Sequence, residues 1–250
     1  MPLKVSFILP SRNETFLPQT IHEILSKCVG EVEVIAILDG YWPKPPLEEV
    51  PGLTQLHWKE GKGMRAGINA AASIARGEYL CKLDAHCMIA PGFDDVLKAD
   101  CDDDWIVIPT RRSLHAETWT IIDKAPVEAM YLCWPWHNPD VPGLHGEIWK
   151  ARAKTQAALI DDEMSFQGSC WFMKKDYFWK FGGMQEEGYG EFVQEAQQLG
   201  NRAWLSGGRV VRNKKTWYAH LHKGKKWGRG YFISKQKMIE GTNWSMHYWM

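Results

Sequence analysis

The sequence predicts an α/β protein built on a mostly parallel sheet with helices on both faces. Short apolar runs alternate with segments of helical spacing from Val5 to Pro109, the pattern that packs a parallel sheet between two helix layers. Within it, the run Tyr79-Leu80-Cys81-Lys82-Leu83-Asp84-Ala85-His86-Cys87 brings a carboxylate and an imidazole to the carboxyl end of a strand. Open α/β sheets form their ligand sites at such ends.

Taken in order, Val5 to Leu9 is a continuous apolar run closed by Pro10 and reads as a buried strand, followed by the polar turn Ser11-Arg12-Asn13-Glu14. Leu17, Ile21, Ile24, Leu25 and Cys28 recur at helical spacing, with Gly30 as the stop. Val32 to Leu38 is a second strand ending in Asp39-Gly40, and a third follows a Pro-rich loop at Leu53 to Trp58. Gly61-Lys62-Gly63 leads into a small-residue helix from Met64 to Ala75, closed by Gly77 before the Asp84 strand. Phe93 to Ala99 reads as a helix and Trp105 to Pro109 as a strand.

The stretch from Thr110 to Asp162 breaks this rhythm. Its His115, Trp119, Trp134, Trp136, His137, His145 and Trp149 fit either an acceptor-facing insertion or a structural arm packing aromatics on the sheet. Phe166 to Lys174 is expected as a strand, Phe192 to Leu199 as a helix, and Trp204 to Val211 and Trp217 to His222 as late strands. The Gly-, Lys- and Trp-rich end from Lys223 reads as a mobile flap.

With 250 residues the chain can bury a substantial core. Its six cysteines show no CxxC pair, so they are expected as reduced thiols. No apolar stretch is long enough for a signal peptide core or a membrane span, which places the expected site of action in a bacterial or virus-infected cytoplasm. Net charge is zero but unevenly spread: residues 1–195 hold 19 Lys/Arg against 29 Asp/Glu, and residues 196–239 hold 11 Lys/Arg and no carboxylate. Such a basic tract predicts an anionic partner such as a diphosphate or nucleic acid. Fourteen tryptophans suit a carbohydrate or nucleotide site, since indole faces stack on both sugars and bases.

Five landmarks stand in order: PSRNE after the first strand, an Asp ending the second, GKGMRAGINAAASIARGEYL, LDAHC, and a late GYGE. Together they resemble a GT-A fold glycosyltransferase of the broad family-2 type, closest in motifs to polypeptide N-acetylgalactosaminyltransferases. The resemblance covers residues 3 to about 223. It implies a catalytic domain over residues 1–222, with a nucleotide-sugar half (1–109) and an acceptor half (110–222), and a basic C-terminal flap over 223–250.

Carried over, the resemblance implies that Pro10, Arg12, Glu14 and Asp39 hold the uridine. Gly61, Lys62, Gly63 and Arg65 would lie across the UDP-sugar, with Arg65 neutralising phosphate or ordering the sugar-side loop, and Trp171 and Phe172 would line the sugar pocket or serve as core. Asp84 and His86 match the metal motif, and TWYAHLHKG offers His220 or His222 as third ligand, alignment favouring His220. Two nitrogens and one carboxylate completed by diphosphate oxygens suit Mn²⁺, or Mg²⁺, better than a closed zinc site. Glu191 matches the late acidic residue beside sugar and acceptor, with Glu195 one turn on, and the motif set implies retention at the anomeric carbon.

The basic aromatic tract makes a hydroxymethylated base in DNA the first expected acceptor, as in virally encoded DNA-modifying transferases. A cytoplasmic glycan, a lipid-linked sugar or a protein hydroxyl is the second. Two rival classes are a nucleotidyltransferase, which would need several carboxylates at its metal, and a non-catalytic nucleic-acid-binding protein.

Overall fold

The structure is a computed structural model that describes residues 4–133, 143–228 and 231–249. The strands are β1 (Val5–Ser11), β2 (Val32–Asp39), β3 (Leu53–Trp58), β4 (Tyr79–Leu83), β5 (Cys87–Ile89), β6 (Trp105–His115), β7 (Thr120–Val127), β8 (Met130–Cys133), β9 (His145–Ile148), β10 (Ile160–Asp162), β11 (Cys170–Lys174) and β12 (Arg209–His220). The helices are α1 (Leu17–Lys27), α2 (Met64–Ile74), α3 (Phe93–Ala99), α4 (Lys150–Thr155), α5 (Lys175–Lys180), α6 (Glu195–Leu205), α7 (Gly224–Trp227) and α8 (Lys235–Trp249).

The main sheet runs β10-β12-β6-β11-β4-β1-β2-β3, with β5 added to β12 and β7 to β6. The strands β3, β2, β1 and β4 are parallel, whereas β11 enters antiparallel between β4 and β6. Alternation along β1 and β2 explains why both faces are covered. Val5, Phe7, Leu9, Val34, Ala36 and Leu38 meet α1 and α3 through Leu17, Ile21, Ile24, Phe93 and Leu97. Ile8, Ile35 and Ile37 point the other way, onto Ile68, Ala71 and Ala72 of α2, in a cluster shared with Phe178 and Leu199. Each such fully buried side chain contributes about 1.5–3 kcal/mol.

The early elements fall where the sequence places them, and the later ones differ in instructive ways. The stretch from Thr110 to Asp162 is a β excursion: β6 continues to His115, turns back as β7, and leads to the separate β8–β9 hairpin. Trp134, Trp136 and His137 lie outside the described residues. Strand β11 begins only at Cys170, leaving residues 166–169 as an irregular approach. Helix α6 starts at Glu195, after Gln194 in the left-handed region at φ 61°, and carries Trp204 and Leu205 as its last turn. The two expected late strands are therefore one, β12, which shifts register between Asn213 and Trp217.

The C-terminal segment carries regular structure the sequence reading did not assign: among the described residues beyond Lys223 the chain forms α7 and α8, and α8 packs Trp244 on Tyr189 with ring centroids 4.9 Å apart. The indole of Trp249 also donates to the Tyr189 hydroxyl at 3.1 Å.

Strands β1 and β4, whose ends carry the site below, touch at Gly77. A Cβ there would sit 2.7 Å from the Ser6 nitrogen, and backbone cannot swing aside. Gly77→Ala is expected to lower stability by about 1–3 kcal/mol, the range for overpacking, as a reduced urea midpoint with unchanged slope.

Candidate functional site

Sheet order reverses at β1, with β2 and β3 on one side and β4 on the other. Crevices at such switch points are where open α/β sheets bind ligands. A cavity of about 720 Å³ opens there. The turn after β1 contributes Arg12 and Glu14, the end of β2 Asp39, the end of β4 Asp84, the turn into β5 His86, and the end of β12 His220.

A long-range pairing brings His220 to the Asp84 turn. Strand β12 pairs antiparallel with β5, setting His220 opposite Cys87, and the Leu221 nitrogen donates to the His86 carbonyl at 3.2 Å. The imidazole Nε2 atoms of His86 and His220 are 3.0 Å apart, and His220 Nε2 is 3.1 Å from Asp84 Oδ2. Ligand atoms of Asp84, His86 and His220 all lie within 4.8 Å of one another.

The surrounding charges prepare this triad. Glu14 Oε2 meets His86 Nδ1 at 3.0 Å, which holds the proton there and turns the Nε2 lone pair inward, as carboxylates behind metal-binding histidines do. Burial by itself would raise the Asp84 pKa, but the Lys82 ammonium and the His220 hydrogen bond outweigh it and hold the carboxyl well below its usual range. Burial pushes the His220 imidazole down to about 4 against the pull of Asp84. Its Nδ1 is buried without a partner. A carboxylate anion and two neutral imidazoles facing one point fit a divalent cation with open positions for further oxygens.

Beneath the triad, Lys82 is 1% exposed and donates to Asp84 Oδ1 at 2.7 Å and to the Gly168 carbonyl at 2.5 Å. Its ammonium also lies 3.4 Å from Glu195 Oε2. Burial opposes the charge, yet Asp84 and Glu195 raise the Lys82 pKa above its ordinary value. Across the mouth, Arg12 pairs with Asp39 and places Nη1 2.9 Å from Glu191 Oε2.

Residues 6–182 match the sequence model of glycosyl transferase family 2. The chain belongs to that family. Among solved structures, it is similar to GalNAc-T7 crystallised with UDP, GalNAc and Mn²⁺, at TM-score 0.75 and 16% identity over 93% of this chain and 45% of that one. The chain thus spans less than half of that relative, and the likeness shows the shared GT-A fold. No curated protein matches the sequence.

In this family-2 glycosyltransferase, Pro10, Arg12, Glu14, Asp39, Gly63, Asp84, His86, Glu191 and His220 all reach the cavity wall. Four expected donor contacts do not: Gly61, Lys62, Arg65 and Trp171 are absent from the described wall. Arg65 is 1% exposed, donates to the Gln185 and Val193 carbonyls at 3.0 and 2.5 Å, and stacks on Tyr189. These contacts fasten the GYGE turn, and burial pushes the Arg65 pKa down to about 10. Trp171 is core, stacked on Phe178, with its indole nitrogen 2.7 Å from Glu195 Oε1. Phe172 is likewise buried, against Tyr79. Lys62 donates its backbone nitrogen to Asp39 Oδ1 at 2.6 Å and rests its ammonium over Trp58. Glu14 serves His86, and His222, edge-on to His220 with ring centroids 4.8 Å apart, meets Arg111 at 2.7 Å.

The basic tract also changes character on folding. Arg209 pairs with Asp162, Arg212 with Glu163, Lys215 with Asp100, Lys223 with Glu14, and Lys237 faces Glu191. Five members of the positive run, among the described residues, therefore meet carboxylates from the acidic part of the chain. Arg229 lies outside the described residues. Lys82 and Arg111 escaped sequence reasoning, although a lone Lys inside the apolar run YLCKL was a visible signal.

Two outcomes are expected. Glu14→Gln, which weakens the hold on His86, should reduce Mn²⁺ affinity about 10–100-fold, read from the loss of free-ion signal in an electron paramagnetic resonance titration. Because His220 is held neutral down to about 4, the unfolded chain binds a proton between pH 6.5 and 4 that the folded one refuses. Stability of the metal-free protein should therefore fall as pH drops through that window. His220→Gln should flatten this part of a urea-midpoint against pH curve.

Proposed function

We propose that the chain transfers a sugar from a UDP-sugar to an acceptor hydroxyl with retention at the anomeric carbon. The observation that carries the donor half is the Asp84, His86 and His220 triad, set at the switch-point cavity of a family-2 glycosyltransferase. The similar GalNAc-T7 structure, which contains UDP and Mn²⁺, supports the choice of nucleotide and ion. In this reading the nucleoside lies along Pro10, Arg12 and Asp39, and the triad holds Mn²⁺ or Mg²⁺. The cation supplies positive charge that offsets the charge developing on the departing diphosphate. Residues 1–222 act as the catalytic domain, and segments from Lys223 onward, including Tyr231, Ile233 and Met238, wall its cavity.

Retention is supported by how the cavity carboxylates are engaged. An inverting reaction needs a carboxylate free to take the acceptor proton. Glu191 Oε2 is paired with Arg12, and its Oε1 faces Lys237 at 3.7 Å. Glu195 is tied to Lys82 and Trp171, Asp39 to Arg12, and Glu14 to His86 and Lys223. Glu191 then positions sugar or acceptor through Arg12, and the leaving phosphate takes the proton.

The single carboxylate of the triad disfavours the nucleotidyltransferase class. For the acceptor, the pairing of five basic-tract residues with carboxylates leaves fewer of its charges to support a hydroxymethylated DNA base. That base and a glycan, lipid-linked sugar or protein hydroxyl therefore enter one acceptor panel. All six cysteines are free, which accords with a cytoplasmic setting, and no described helix is long and apolar enough to cross a membrane.

The test is UDP release from a panel of UDP-sugars with Mn²⁺, with and without each acceptor. Release that falls to background in Asp84→Ala is expected, with the product anomer retained by nuclear magnetic resonance. No release from any UDP-sugar would overturn the donor assignment, and an inverted product would overturn the mechanism.

A further inference from the structure

Gln194 breaks two local preferences at once. It stands immediately before α6 in the left-handed region, at φ 61° and ψ 26°. That conformation suits Gly or Asn and costs free energy for other side chains. The same position is the N-cap of α6, where Asn, Asp, Ser or Thr would accept a hydrogen bond from the first turn, yet the Gln194 side chain makes no capping bond. Asn would satisfy both preferences, so the extra methylene of Gln points to partners outside the helix. Residues held against their preference concentrate at functional sites.

The side chain reaches two elements that are far apart in sequence. Gln194 Nε2 donates to the Leu144 carbonyl at 2.9 Å, just before β9, and Gln194 Oε1 accepts from Ser245 Oγ of α8 at 3.4 Å. One amide thus meets a carbonyl with its donor and a hydroxyl with its acceptor, and so joins the β8–β9 hairpin to α8. Ser245 is 1% exposed, which shields its bond from water. Met130, His145 and Ile148 of the hairpin and Met238 and Thr242 of α8 all wall the cavity.

The backbone of the same residue serves the cavity floor. Its carbonyl accepts from the Gln198 nitrogen at 2.9 Å to open α6. Glu195, next in the chain, turns inward to Lys82 and the Trp171 indole, and Lys82 holds Asp84. Three residues before Gln194, Glu191 reaches Arg12 across the mouth. The left-handed turn at 194 therefore sends a carboxylate to the floor while the Gln194 amide grips the hairpin and α8. We propose that Gln194 is a positioning residue that keeps the hairpin and α8 in register with the Glu191 turn and the Glu195–Lys82 floor. The proposal rests on the glycosyltransferase reading, in which hairpin and α8 form the acceptor wall. Through them Gln194 sets where the acceptor hydroxyl stands.

Two variants separate reach from folding. Gln194→Asn suits the backbone and the cap but is one methylene too short to span Leu144 and Ser245, and its urea midpoint should be at or above that of wild type. Gln194→Glu keeps the length and loses the N–H that the Leu144 carbonyl requires. UDP release from the UDP-sugar that wild type turns over fastest is measured with water as the only acceptor, then with the best acceptor of the panel. In both variants the water reaction and the UDP-sugar KM should stay within about twofold. The kcat/KM for the acceptor should fall about tenfold, the loss expected for one hydrogen bond, mainly through a raised acceptor KM. Hydrogen exchange of the full chain needs no substrate: amides of residues 144–148 should exchange about tenfold faster in both variants, with those of β1, β2 and β4 unchanged. Water and acceptor reactions that fall by the same factor, a loss that follows a lowered midpoint, or unchanged exchange at 144–148 would overturn the role. Turnover of no UDP-sugar by wild type would instead overturn the donor reading. In that case, or where no acceptor of the panel is used, exchange at 144–148 decides whether Gln194 holds the hairpin.

Discussion

The Lys82 ammonium is buried at the point where three separate segments converge, and the site depends on it. It fixes Asp84 at the end of β4, the Gly168 carbonyl before β11 and Glu195 at the start of α6. Taking an ammonium and two carboxylates out of water costs several kcal/mol per ion, offset only when geometry and further hydrogen bonds are good. Here they are: Glu195 also accepts from the Trp171 indole, and Asp84 from His220. One buried cation thus keeps the triad carboxylate ionised while locking the floor of the cavity to its wall.

The same logic of paired charge extends outward. Glu14 holds His86 and Lys223, and Arg12 joins Asp39 to Glu191 across the mouth. At Gly63 a Cβ would sit 3.0 Å from that of Glu191, so the glycine lets the loop after β3 close against the late acidic turn. Arg65 ties that turn down from beneath through Gln185 and Val193. These contacts span most of the chain and draw its early and late segments around one cavity.

Legibility in the sequence followed locality. Strands β1 to β4 and helices α1 to α3 were readable because each is a compact apolar run or helical stripe bounded on at least one side by Gly or Pro. The Asp84 and His86 positions were readable for the same reason, since both lie at one strand end. The choice of His220 over His222 rested on alignment, because strand alternation puts both on one face; the pairing of β12 with β5 is what turns His220 to Asp84. For Arg65 and Trp171 the sequence left two roles open, because motif matching gives a position in sequence and not the direction a side chain faces. The internal pairing of Arg209, Arg212 and Lys215 was hidden for a physical reason: their partners Asp162, Glu163 and Asp100 are distant in sequence and adjacent only after folding. Helix α8, rich in polar and aromatic residues without a clean stripe, gave no periodic signal.

The central claim is that Asp84, His86 and His220 gather a divalent cation against the diphosphate of a nucleotide-sugar. Pulsed electron paramagnetic resonance of the protein with Mn²⁺ and UDP addresses it directly, since couplings to nitrogen and phosphorus nuclei report what touches the ion. The account predicts imidazole nitrogen couplings that are diminished in His220→Gln, together with phosphorus couplings from UDP. Phosphorus couplings with no nitrogen coupling, or no change on altering His220, would contradict it.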